Sequence, residues 1–177
     1  MNEGKKIIRN MMGPMIFIAL IIELLAGCST SECLDNQNSL PLAGFYTSSE
    51  IPQAISLDSV SILGIGAPGD SILQDSVRTL SQVYLPFRIG TGQTSTTYEI
   101  RYLGGAAGIY RLNDKITFNY DIIPMFVSTA CGTVYYYKML SIDHTSTFID
   151  SVVCPSGVIT NENIENLKIY FRVDTDQ

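Results

Sequence analysis

The sequence predicts an all-β domain, a two-sheet antiparallel sandwich of the immunoglobulin-like kind or similar, behind an amino-terminal leader. Short runs rich in β-branched and aromatic residues recur along the chain, several of them alternating apolar and polar at period two. Glycine, proline, asparagine and aspartate punctuate those runs at the spacing of sandwich turns. No segment after the leader sustains a helical period, and only Asp70 to Leu80 has room for a turn or two of helix. A barrel is the alternative closure for the same strands.

In chain order, Leu42 to Thr47 is the first candidate strand. Ile55 to Ile65 alternates Ile55, Leu57 and Ser59 against Ser56, Asp58 and Val60, then shifts phase. Gln82 to Ile89 sets Val83, Leu85, Phe87 and Ile89 on one face, and Pro86 assigns it to an edge or a bulge. Thr96 to Leu103 opposes Tyr98, Ile100 and Tyr102 to Glu99, Arg101 and Leu103. Lys115 to Tyr120 puts Ile116, Phe118 and Tyr120 on a common side, after an Asn113-Asp114 turn. Met125 to Ala130, Thr133 to Ile142, Thr147 to Val153 and Leu167 to Val173 complete the series.

The leader has the layout of an export signal: Lys5, Lys6 and Arg9, an apolar run from Met11 to Ile22, then small residues. Leu25-Ala26-Gly27-Cys28 resembles the lipobox of bacterial lipoproteins, which implies lipidation of Cys28 and removal of residues 1–27. Glu23 and Pro14 depart from the usual pattern, and Glu23 also argues against a retained membrane span, since a carboxylate in the bilayer core costs about 3 kcal/mol. Two or three acyl chains make a firm anchor where one does not. Residues 28–41, polar and rich in Ser, Asn and Asp, read as a tether, and residues 42–177 as a single sandwich domain.

Of the 11 Lys+Arg and 17 Asp+Glu, three and two fall in the leader, leaving eight against 15, a formal charge of −7 on the remaining 150 residues. That balance argues against nucleic acid, whose binding depends on clustered cations, and leaves the lipid as the membrane contact. Of the three cysteines beyond Cys28, the favoured pair is Cys33 with Cys131, a long loop whose closure is worth about 4–5 kcal/mol by chain entropy. The rival pairing is Cys131 with Cys154. No spacing fits a metal site, and no cofactor is expected.

The chemistry-bearing patterns weaken on inspection. Gly64-Ile65-Gly66-Ala67-Pro68-Gly69 has dinucleotide-loop spacing, yet Pro68 and Asp70 stand where a helix would open onto phosphate. His144 is the only histidine, and Asp143 to Ser146 reads as a turn between strands. The run Tyr135-Tyr136-Tyr137 divides between two faces of a strand, giving core plus surface. Catalytic residues are therefore assigned to none of these side chains, and the protein is expected not to be an enzyme. Paired carboxylates, whose spacing is spatial rather than sequential, keep an envelope glycan hydrolase or lyase as the alternative.

The tripeptides Asp58-Ser59-Val60, Asp70-Ser71-Ile72, Asp75-Ser76-Val77 and Asp150-Ser151-Val152 resemble the general O-glycosylation sequence of exported Bacteroidota proteins. They make Ser59, Ser71, Ser76 and Ser151 candidate glycan acceptors, with turn chemistry at strand entries as the ordinary explanation. The lipobox followed by Cys33, Gly64-Ile65-Gly66 leading into Asp70-Ser71, Thr117-Phe118-Asn119-Tyr120, and Phe126 to Gly132 are further marks. With Asn161-Glu162-Asn163 and Lys168-Ile169-Tyr170-Phe171, the chain resembles a family of short Bacteroidota lipoproteins known as a domain of unknown function. The resemblance implies an extracytoplasmic β domain on a lipid anchor and no stated activity. It supports the Cys33–Cys131 pairing and leaves Cys154 as the free thiol. The expected role is a non-catalytic binding or assembly module at the outer membrane, with another envelope protein or a glycan as partner. In this group surface export goes with acidic residues soon after the lipidated cysteine; Ser29-Thr30-Ser31-Glu32 offers one, so the domain is expected to face the periplasm.

Overall fold

Period-two alternation leaves each strand with one apolar face, and burying those faces against each other demands two layers. The computed structural model of the protein describes residues 39–66, 71–89, 94–103, 112–129 and 132–172, and every regular element among them is a strand. They are β1 (Leu42–Thr47), β2 (Val60–Ile65), β3 (Ile72–Val77), β4 (Gln82–Tyr84), β5 (Ser95–Tyr102), β6 (Leu112–Ser128), β7 (Gly132–His144), β8 (Ile149–Val153), β9 (Val158–Ile159) and β10 (Glu165–Phe171). A four-stranded sheet runs β4-β1-β10-β8 and a six-stranded sheet runs β3-β2-β5-β6-β7-β9. The all-β sandwich expectation holds, with one departure from antiparallel pairing: β1 runs parallel to β10.

The core lies between the sheets. Phe45, Leu167 and Ile169 of the first meet Ile62, Ile100, Ile116, Phe118 and Tyr120 of the second. Phe87 is the aromatic keystone at one end, stacked on Tyr120 with centroids 4.5 Å apart and edge-on to Tyr137 at 5.3 Å. The buried phenols keep partners, as such groups must: the Tyr120 hydroxyl lies 2.7 Å from Thr96 Oγ1 and donates to Arg88 O at 3.0 Å, while the Tyr98 hydroxyl donates to Pro86 O.

Several elements differ from the sequence expectation. The Asp70–Leu80 stretch holds the strand β3 rather than a helical turn, because Leu73 and Val77 pack on the core while the backbone pairs with β2. Asn113-Asp114 is no turn but lies inside β6, paired with β5 at Arg101 and Ile100. Lys115–Tyr120 and Met125–Ala130 are not separate strands. Up to Ser128 they form one 17-residue strand, and Ala130 lies outside the described residues. Pro124 is tolerated within it because β6 has only β7 for a neighbour there, so the missing N–H faces no second ladder.

Gln82 to Ile89 is regular only over β4, at the sheet edge that Pro86 predicts. Its alternation nonetheless buries Val83, Leu85 and Phe87, and leaves Ile89 exposed. Ser39 and Pro41, assigned to the tether, are already buried.

Candidate functional site

The hairpin of β6 and β7 runs the length of the sandwich and organises two unlike ends. At one end β6 begins beside β5, with β7 joining from Ile116, and Asp114 points into the core, 0% exposed. Its carboxylate accepts hydrogen bonds from Thr145 Oγ1 (2.7 Å), the amides of Thr147 (2.7 Å), Phe148 (2.8 Å) and Ile149 (3.2 Å), and the Tyr102 hydroxyl (3.0 Å). Burial opposes ionisation, but the Phe148 amide, Thr145 hydroxyl, Thr147 amide and Tyr102 hydroxyl outweigh it and hold the carboxyl below its usual range. Asp114 thereby ties the β7–β8 connection to β6.

On the outer face of the same sheet, Arg101 Nε donates to Glu99 Oε1 at 2.7 Å and Asn113 Nδ2 donates to it at 3.1 Å. The Arg101 hydrogen bond, against burial and helped by Asn113, lowers the pKa of Glu99. Asp114 is thus saturated with donors on both oxygens, and Glu99 carries two donors on Oε1. Neither has the raised pKa of a general acid.

At the other end β6 and β7 leave the sandwich as a two-stranded ribbon. Strand β5 covers β6 only through Asn119, and β9 covers β7 only at Tyr137 and Lys138. Beyond the Asp121–Lys138 register pair, Ile122 faces Tyr137, Ile123 faces Tyr136, Pro124 faces Tyr135, Met125 faces Val134 and Phe126 faces Thr133. The 16 residues from Ile122 to Tyr137 contain no charged side chain. Ile123, Pro124, Met125, Phe126 and Val127 are all exposed, Phe126 by 69%, while Val134 is buried. Apolar side chains therefore occupy both faces of the ribbon, a pattern that elsewhere marks a strand covered on both sides.

The chain also enters the sandwich at the ribbon's end. The Leu42 amide donates to Asn166 Oδ1 at 3.2 Å, and Tyr84 donates to Asn163 at 2.7 Å. In the same loop Asn161 Oδ1 accepts from the Tyr136 hydroxyl at 2.9 Å. Glu165 closes this seam, accepting from Gln82 at 3.0 Å and from Tyr46 at 2.7 Å. That bond, with burial, pushes the Tyr46 phenol up to about 12.

The surface hollows are shallow. A cleft of about 250 Å³ is bordered by Gly64, Ser71, Leu73, Arg88, Thr96 and Tyr98, and the Arg88 guanidinium already donates to Ile65 O at 2.5 Å. A second hollow of about 300 Å³ lies beside Ser48, Asp150, Ser151 and Tyr170. Among the described residues no group of three or more His, Cys, Asp or Glu is placed to hold a metal ion.

Cys28, Cys33 and Cys131 lie outside the described residues, so neither the lipidation nor the Cys33–Cys131 pairing is on view. Cys154 is a half-buried free thiol. The Asp-Ser sites diverge. Ser59 and Ser76 both sit at positive φ, 54° and 51°, and each hydroxyl donates to its preceding aspartate, at 3.3 and 3.0 Å. Ser76 belongs to the edge strand β3, at a bulge where Ser61 opposes Asp75 and Ser76. Ser71 is exposed before β3, and Ser151 is half-buried within β8.

In the glycine pattern, Gly66 turns at φ 69° against the Arg88 side chain, Gly69 lies outside the described residues, and the next described element is the strand β3. His144 Nδ1 lies 2.8 Å from Thr145 O at the end of β7. Tyr137 is in the core, Tyr135 packs against it and Tyr136 turns to Asn161, as the split of the tyrosine run predicts.

Asp114 and the apolar ribbon escaped the sequence reading. The ribbon had a readable signal, the six consecutive apolar residues from Ile122 to Val127; Asp114 had none, since Asn-Asp is ordinary turn composition.

A family of unknown function (DUF6452) matches residues 59–171, more than half of the chain, and the protein belongs to that family. The matched region runs from the entry of β2 to the end of β10. Neither a curated protein nor a solved structure matches the chain significantly.

Proposed function

We propose that this member of the family is a lipid-anchored protein of the bacterial outer membrane, of Bacteroidota origin, that binds or assembles rather than catalyses. The anchor rests on the leader and its Leu25-Ala26-Gly27-Cys28 box. What supports the non-catalytic reading is the state of the two buried acids. Neighbours that fasten strands and connections donate to Asp114 on both oxygens and to Glu99 on Oε1 and hold both carboxyls below their usual range, which makes each a poor proton donor. The surfaces left for a partner are the free strand edges and the ends of the sandwich. Another envelope protein or a glycan, engaged from the periplasmic side, is the partner this reading assigns.

The test is cross-linking in intact cells, followed by recovery of the full chain from detergent-solubilised membranes. A specific envelope protein or glycan is expected to co-purify. Recovery in the soluble fraction refutes the anchor, and recovery from membranes with no enriched companion refutes the binding role.

A further inference from the structure

We infer that the tip of the β6–β7 ribbon is a second membrane contact, seated shallowly in the lipid interface beside the anchor. The inference rests on the lipid-anchored reading of Cys28. Its own observations are the composition, geometry and polarity of the ribbon.

The composition is that of an interfacial element. The Asp121–Lys138 pair marks the last charged level of the hairpin. Half-buried Tyr135 and Tyr136 follow, the residue type that gathers where water meets hydrocarbon, while Tyr137 belongs to the core. Beyond them stand Met125, Phe126 and Val127, exposed. Charge, aromatic level and apolar tip succeed one another along a single direction.

The geometry points that direction at the membrane. Leu42 enters the sandwich at the ribbon's end, through the seam that joins Asn166, Asn161 and Tyr136. From Tyr137 to Gly132 the ribbon extends roughly 17 Å at strand rise. The 11 residue steps from Cys28 to Ser39 span at most about 40 Å. A tether of that reach is long enough to let the tip come down to the bilayer while Cys28 stays in it.

Among possible occupants, lipid fits best. A second copy or a partner strand would add along a ribbon edge, but Pro124 interrupts the amide row of β6, and edge pairing would leave both apolar faces wet. A fluid interface covers faces and edges alike. The contact is shallow because unpaired backbone groups are costly deeper in hydrocarbon.

The chain contains no tryptophan, so Phe126→Trp introduces a lone reporter into the full-length, lipidated protein. The reporter for comparison is Ile51→Trp, 75% exposed beside the Ser48–Phe171 contact at the other end of the sandwich. Each variant is reconstituted into phosphatidylcholine vesicles with or without brominated acyl chains, and floated on a density gradient. The expected result is a blue-shifted emission from Phe126→Trp that brominated lipid quenches, with Ile51→Trp unshifted and unquenched. Flotation without quenching of Phe126→Trp overturns the inference while leaving the anchor standing. A blue shift that brominated lipid leaves unquenched also overturns it, marking a protein occupant. Failure to float refutes the anchor, and with it the premise of the ribbon contact.

Discussion

The two halves of the β6–β7 hairpin share two strands and differ in almost everything else. From Asp114 to Asn119, β6 alternates faithfully, with Asp114, Ile116 and Phe118 inward and Lys115, Thr117 and Asn119 outward, and from Ile116 it has strand neighbours on both sides. From Ile122 to Val127 it has one neighbour and stops alternating. The first half is explained by the fold: its apolar face fills the core, and its outer face is threaded by polar pairs such as Thr97–Thr117 (2.9 Å) and Asn119–Ser141 (2.9 Å). The second half gains little from the fold beyond Ile122, which packs on the core, since Ile123 to Val127 remain in water. A strand whose composition exceeds what its own domain buries is composed for something outside that domain.

That contrast can be broken or sharpened by substitution, and the largest effect is expected at Phe118. Phe118→Ala, at a position 0% exposed, should cost about 3–5 kcal/mol in denaturant unfolding. Asp114→Ala should follow at roughly 3 kcal/mol, because it strands several buried donors at once.

The Asp114 effect has a signature in pH. The carboxyl is depressed in the folded state, so its contribution is complete above the unfolded value of about 3.9 and is lost as pH falls through the folded value. Glu99 acts with the same sign. Stability of the native protein should therefore fall on acidification below about pH 4. Asp114→Ala should flatten that fall, as read from melting temperature against pH.

Tyr136→Phe, which removes the bond to Asn161 at the ribbon's root, should cost about 1 kcal/mol. Phe126→Ala should shift the unfolding free energy by less than about 0.5 kcal/mol, although it removes the same side chain as Phe118→Ala from the same strand. A large loss at Phe126 would place the tip within the domain's own stability and erase the distinction between the halves.

Much of the sandwich was legible because alternation is a local property. Ile116, Phe118 and Tyr120 announce their face within six residues, and Val83, Leu85 and Phe87 do so even where the strand itself is short. What stayed hidden depended on partners distant in sequence. Asp114 looks like a turn residue until the β7–β8 connection, more than 30 residues later, closes over it. Strand β3 looks irregular because it is an edge strand carrying bulges, with Ser76 in a left-handed conformation that serine seldom adopts. Strand β9, two residues long, is defined by its contact with Tyr137 and Lys138 rather than by any run of its own. The ribbon was visible as composition but not as an element, since Pro124 reads as a break in sequence and is harmless where β6 has a single neighbour.

The parallel pair β1–β10 governs the order in which the domain can form. Leu42 and Asn166, 124 residues apart, are bonded at its start, and β10 lies between β1 and β8 rather than at a border. The four-stranded sheet therefore cannot be assembled progressively from the amino terminus. Its first strand can pair early with β4 alone, over Leu42 to Gly44, and its other edge waits for β10, which also supplies the partner of β8. Closing so long a loop before any contact rewards it makes folding slow for a domain of this size. A chain halted before β10 would hold Phe45 and Ala43 uncovered, in a form prone to capture by chaperones and to degradation.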